Sequence, residues 1–204
     1  MKRTPPGFCL NSTRSFYNRI SFLYPVINYF LKGQKKSLIH EVNKEPPGTL
    51  LEIGIGNGSH LRLYAYHQVT GIEISEAMLK KAQRFKNDRY QLLLMNGENL
   101  EFTKASFDYV VMSHVLAVTK NPEQLLQEAY NVLKPGGKLF ILNHFTPDNW
   151  LGHVDRAFQP LSFLLHFKSA FYLHKLGTLR RFTLLQQINL FVGSYFKLLI
   201  FCKP

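Results

Sequence analysis

Residues 50–58 read Leu-Leu-Glu-Ile-Gly-Ile-Gly-Asn-Gly, an apolar run that ends in a carboxylate and then places glycine at every second position. A buried strand running straight into a backbone-lined ligand loop has this pattern. Gly54, Gly56 and Gly58 remove the side chains that would hold a ligand off the main chain. A glycine-rich loop alone also fits an ordinary tight turn. The reading is strengthened by a second acidic residue, Glu73, near the end of another apolar run, Val-Thr-Gly-Ile-Glu-Ile (69–74). Spacing then separates two ligand classes. A dinucleotide loop, G-x-G-x-x-G, needs its third glycine where this chain has Ser59, and a phosphate-gripping loop needs a Gly-Lys-Ser/Thr ending that the chain lacks.

The spacing E-x-G-x-G-x-G over residues 52–58 resembles motif I of the class I S-adenosylmethionine-dependent methyltransferases. The resemblance implies S-adenosyl-L-methionine as cofactor, with Glu52, Gly54, Gly56 and Gly58 at its amino-acid portion and Glu73, followed by Ile74, at its ribose. A carboxylate suits two hydroxyl donors, and this cofactor has no pyrophosphate to demand an anion site. Ser75–Lys86 is expected to be a helix capped by Ser75, followed by a strand over 90–95. The family then usually has an Asp that accepts from the adenine amino group. Here Asn96 stands first in Asn96-Gly97-Glu98, and its amide oxygen accepts the same bond without charge assistance.

Further along, 106–113 reads as a fourth strand ending in Ser113, which the resemblance places beside the cofactor. Residues 122–134 read as an amphipathic helix broken by Pro135-Gly136-Gly137, and 138–143 as a fifth strand. Segments 183–190 and 195–202 flank Val192-Gly193-Ser194 as a closing hairpin. The fold expected is α/β: a doubly wound, mostly parallel seven-stranded sheet with N-terminal amphipathic helices and a C-terminal antiparallel hairpin. One domain is expected over all 204 residues. It comprises a helical cap (1–43), a cofactor-binding core (44–149), an amphipathic insertion (150–182) and the hairpin (183–204).

Charge is distributed unevenly along the chain. Residues 1–40 hold seven Lys or Arg and no acid, 41–149 hold eleven bases against twelve acids, and 150–204 hold seven bases and Asp155 alone. Both basic flanks interleave Phe, Tyr and Leu with Lys and Arg, from Arg14 to Lys36 and from Trp150 to Phe182. Either flank alone could be a core-covering helix with solvated lysines. Two of them bracketing a neutral core favour an anionic membrane surface as partner, where each basic residue contributes about 1 kcal/mol. RNA would use the same mixture through stacking, but long Phe/Leu runs suit acyl chains better. The apolar stretch Ile20–Leu31 is about half the ~20 residues a spanning helix needs, and Pro25 interrupts it. The N-terminus has no secretory h-region, and Cys9 and Cys202 suggest neither a metal site nor a disulfide framework. A cytoplasmic, peripherally membrane-associated monomer is expected.

A narrower resemblance rests on Glu-Ile-Gly-Ile-Gly-Asn-Gly, on Val-Thr-Gly-Ile-Glu-Ile-Ser-Glu-Ala-Met-Leu and on Leu-Asn-His-Phe after the fifth strand. It is to the bacterial phospholipid N-methyltransferases, which convert phosphatidylethanolamine toward phosphatidylcholine. Tyr17 and Tyr24 match their N-terminal pattern, although Pro25 stands where an Asp commonly follows. The reaction implied is methyl transfer from a sulfonium to an amine, which depends mainly on alignment in a site shielded from water. His114 and His144, after the fourth and fifth strands, are the candidate bases, and Tyr17 and Tyr24 the candidate covers for a cationic headgroup. For each, a structural hydrogen bond or packing is the bland alternative. The competing function is C- or O-methylation of a membrane quinone. Nucleic acid is disfavoured as a partner, because Ser113-His114-Val115-Leu116 stands where amino-methylating DNA enzymes carry Asn/Asp-Pro-Pro-Tyr.

Overall fold

A computed structural model describes residues 24–145, 175–190 and 196–204, with the backbone alone for 24–32. Seven strands form one sheet: β1 (Thr49–Ile53), β2 (Gln68–Glu73), β3 (Tyr90–Leu94), β4 (Phe107–Ser113), β5 (Leu133–His144), β6 (Thr183–Asn189) and β7 (Phe196–Cys202). Their order in space is β3-β2-β1-β4-β5-β7-β6. The first five run parallel, and β7 is antiparallel to both β5 and β6. The sheet is therefore mixed, with the C-terminal hairpin at one edge.

Alternation along the strands divides the core in two. Leu51, Ile53, Val110, Met112, Leu139 and Ile141 face α3 (Pro122–Val132), which contributes Leu125, Leu126, Ala129 and Val132. Leu50, Val69, Val111, Phe140, Leu142 and Leu198 face α1 (Tyr24–Val42) and α2 (Glu76–Ala82), which contribute Leu38, Ile39, Val42, Leu79 and Ala82. Residues 38, 39 and 42 have the spacing of one helix face, so α1 lies on the sheet through that face.

Two boundaries differ from the sequence reading. The expected helix 75–86 keeps its Ser75 cap, whose hydroxyl accepts from Met78 N, but ends at Ala82 and tightens into a 3-10 turn over Gln83–Phe85. Strand β5 begins at Leu133, before the Pro-Gly-Gly expected to separate helix from strand. Leu133 already pairs with Phe107, and the ladder resumes at Tyr109↔Lys138 after an irregularity. The polar groups of that detour are held by the chain's end: Gly136 N donates to Lys203 O, and Lys203 N to Gly137 O.

Of the expected N-terminal helices, only α1 falls within the described residues. Residues 146–174, most of the expected insertion, lie outside them. No helix among the described residues is long and apolar enough to cross a membrane.

Candidate active site

The strand order reverses direction at β1, which has β2 on one side and β4 on the other. In an open α/β sheet such a reversal leaves a crevice beyond the carboxyl ends of the strands, and ligands bind there. The glycine loop leaves β1 at this point. Gly54, Gly56 and Gly58 have φ of 77°, 60° and 70°, a region L side chains rarely adopt. Space is short as well. A Cβ on Gly54 would lie 2.6 Å from Val115 Cγ2, and one on Gly58 would lie 2.7 Å from Ala82 Cβ. The loop is thus wedged between the segment after β4 and the end of α2.

Two carboxylates fix the loop from below. Glu73 Oε2 accepts from Gly56 N at 2.9 Å, and Oε1 accepts from Ser75 N at 2.9 Å. Burial raises the Glu73 pKa despite the amides of Ser75, Gly56 and Ile74, which lower it. With three amides bound, about one of the four carboxylate lone pairs remains open to a ribose hydroxyl. Glu52 is fully buried, with His60 Nε2 donating to Oε1 at 2.6 Å and Tyr64 Oη to Oε2 at 3.0 Å. Burial pushes Glu52 upward, but His60, Lys35 and Tyr64 outweigh it and hold the carboxyl below its ordinary range. In this structure Glu52 therefore ties the segment after the loop back onto β1.

The 96–98 turn lies alongside. Asn96 Oδ1 accepts from Glu98 N at 3.0 Å. A Cβ on Gly97 would lie 2.6 Å from Ile53 Cγ2, so glycine lets the turn press against the end of β1. Glu98 Oε1 accepts from Lys120 N (2.9 Å), Asn121 N (3.1 Å) and the Thr119 hydroxyl, which pins the loop leading into α3.

At the end of β4, Ser113 is buried and His114, just beyond it, is half-buried; among the described residues neither Ser113 Oγ nor His114 Nε2, both buried atoms, has a hydrogen-bond partner. His114 has a φ of 59°, which re-aims its side chain at the strand end. Its ring centroid lies 5.7 Å from that of Phe196, and His144 meets the same Phe196 ring at 6.4 Å. Burial, then the charge of Lys35, then His144 push the His114 pKa down to about 3. Tyr17 lies outside the described residues; Tyr24 opens α1 and its side chain lies outside them.

Sequence reading missed Lys35, His60, Tyr64 and Asn143. Asn143 is fully buried, donates Nδ2 to His144 O at 2.8 Å and leaves Oδ1 without a partner. Lys35 was expected among the basic residues facing a membrane, but it is 7 % exposed. Its position three, four and seven residues before Leu38, Ile39 and Val42 gives the signal, since it shares their face. His60 and Tyr64 carry no such local signal, because they are defined by reaching across to Glu52. No group of three or more His, Cys, Asp or Glu among the described residues could hold a metal ion.

Comparison with known proteins agrees with this geometry. The family model described as a methyltransferase domain matches residues 51–141. The chain is 30% identical over 161 residues to a phosphatidylethanolamine N-methyltransferase from Cereibacter sphaeroides, covering 76% of this chain and 79% of the relative. It is 29% identical over 156 residues to a demethylmenaquinone methyltransferase from Tropheryma whipplei, covering 71% and 64%. Among solved structures, a SAM-dependent methyltransferase from Thermotoga maritima superimposes with a TM-score of 0.72 at 23% identity, covering 93% of this chain and 99% of that one.

Proposed function

This chain belongs to the class I S-adenosylmethionine-dependent methyltransferases, and from that premise we propose that it methylates a phospholipid headgroup amine, phosphatidylethanolamine toward phosphatidylcholine. Two buried polar atoms without partners among the described residues, Ser113 Oγ and His114 Nε2, lie where β4 ends beside the glycine loop. Either can accept from the N–H of an amine, and the Ser113 hydroxyl can also donate to a quinone carbonyl. The observation that carries the lipid reading is therefore the pair of basic, aromatic flanks around a neutral core.

S-adenosylmethionine, when bound, supplies a methyl group already activated on a sulfonium. The residues of this chain bind, orient and exclude water. The glycine loop admits the donor close to the backbone, Glu73 takes its ribose, and Asn96 stands at its adenine. His114 stays neutral throughout the physiological range and accepts a hydrogen bond from the amine without storing its proton. The amine therefore reaches the site uncharged, which burial favours because desolvation lowers an amine pKa. The basic, aromatic flanks and the likeness to the Cereibacter sphaeroides enzyme also support a lipid substrate. The likeness to a demethylmenaquinone methyltransferase supports the competing reading, C-methylation of a quinone.

The test is incubation with S-adenosylmethionine and phosphatidylethanolamine vesicles, in parallel with demethylmenaquinone, and resolution of the products by mass. Methylated ethanolamine lipid is expected, at a rate that climbs with pH toward the amine's own pKa. A methylated quinone with unchanged phospholipid would replace the proposal with its competitor.

A further inference from the structure

Lys35 lies on the sheet-facing side of α1, in line with Leu38, Ile39 and Val42, and is 7 % exposed. Burial lowers its pKa, the charges of Glu52 and Glu73 oppose that shift, and its own charge acts on His114. These three residues stand at the carboxyl ends of β1, β2 and β4, where the glycine loop leaves the sheet.

Neither carboxylate is directly paired with it. No carboxylate oxygen among the described residues lies within ion-pair distance of the Lys35 ammonium. Glu52 is engaged by His60 and Tyr64, and Glu73 by the amides of Gly56 and Ser75. A buried ammonium without a contacting counter-ion is costly, which is why burial lowers the Lys35 pKa, and an anionic ligand group beside it would offset that cost.

We propose that Lys35 seats the α-carboxylate of the methionyl portion of S-adenosylmethionine, an assignment that rests on the methyl-donor reading above. The donor's amino-acid end is a zwitterion, and the loop offers it both signs. Lys35 faces the carboxylate, while Glu52, buried beneath, supplies the negative potential that favours the α-ammonium. A phospholipid phosphate would offer Lys35 the same anionic chemistry. The donor's carboxylate is favoured because both attracting acids lie at the ends of β1 and β2, on the donor side of the loop, away from β5.

The test compares S-adenosylhomocysteine with 5′-methylthioadenosine, which keeps the adenosine and thioether and lacks the amino-acid group. Calorimetric affinities are measured for the wild type, Lys35→Met and Lys35→Arg. In Lys35→Met, S-adenosylhomocysteine is expected to weaken about 10- to 100-fold while methylthioadenosine changes by less than about threefold. Lys35→Arg should recover most of the loss. Because Met fills the same space without the charge, cofactor-free Lys35→Met should melt at least as high as the wild type.

Equal losses for both ligands would make Lys35 a structural support and overturn the proposal. So would unchanged S-adenosylhomocysteine affinity together with a raised KM for phosphatidylethanolamine, which would assign Lys35 to the lipid phosphate. A wild type that binds neither adenosine ligand would instead bring down the methyl-donor reading itself.

Discussion

His114 combines a backbone that most residues avoid with a half-buried imidazole that packs against Phe196 and feels the charges of Lys35 and His144. Its folded-state pKa of about 3 lies below the ordinary 6.5. The stability it contributes is therefore complete above about pH 6.5 and is lost as pH falls toward 3, where the unfolded chain takes up a proton that the folded chain refuses. Asn tolerates the same left-handed backbone. Between pH 6 and pH 5, urea titrations should show the wild type losing about 1 kcal/mol more stability than His114→Asn. Equal losses would mean that the imidazole is not held neutral. At this scale the sequence was legible where a residue speaks for itself. The positive-φ glycines and the carboxylate of Glu73 that holds Gly56 could be read from motif and position. Lys35 could not be found by type, because a lysine in a basic segment reads as solvated until its helical phase is compared with that of Leu38 and Val42. His60 and Tyr64 take their meaning from Glu52, eight and twelve residues earlier, and no local pattern records that contact.

Among the elements, the strands with continuous apolar runs were predictable almost to the residue, since burial on both faces leaves no other composition. The start of β5 was not. Pro135-Gly136-Gly137 has the chemistry of a break, and it is kept within a strand only because Lys203, far along the chain, satisfies its backbone. A similar long-range tie joins the strands at the end away from the site. Asp108 accepts from Thr49 N and Thr49 Oγ1 at 2.8 Å each and from Lys134 Nζ at 2.7 Å, which links β1, β4 and β5. Asp108→Ala leaves the Thr49 amide without its acceptor and should destabilise the protein by about 1–3 kcal/mol in urea. Affinity for S-adenosylhomocysteine should stay within about twofold by calorimetry, because the tie lies at the opposite ends of the strands. A large loss of affinity would show that the two ends of the sheet are coupled.

For the whole molecule, the uneven charge predicts where it meets other surfaces. Burial removes Lys35 from the set of basic residues proposed to face a membrane. Flotation with vesicles should show binding that rises with phosphatidylglycerol content and falls as salt is added. Replacing Lys32 and Lys36 with Glu should weaken it, and equal binding to neutral vesicles would rule out the electrostatic part. Composition suggests such a surface, but it could not say which lysine turns inward, because net charge carries no phase. The sheet order also bears on biosynthesis. β7 is the last strand to emerge from the ribosome, yet it sits between β5 and β6. The four strands around the glycine loop can pair as they are made, while β5 waits with an open edge along Leu139–Leu142 until residue 202 has been translated. A nascent chain stalled before Phe196 would carry a largely formed donor site beside an unpaired apolar edge, which makes it a ready substrate for a chaperone or for aggregation.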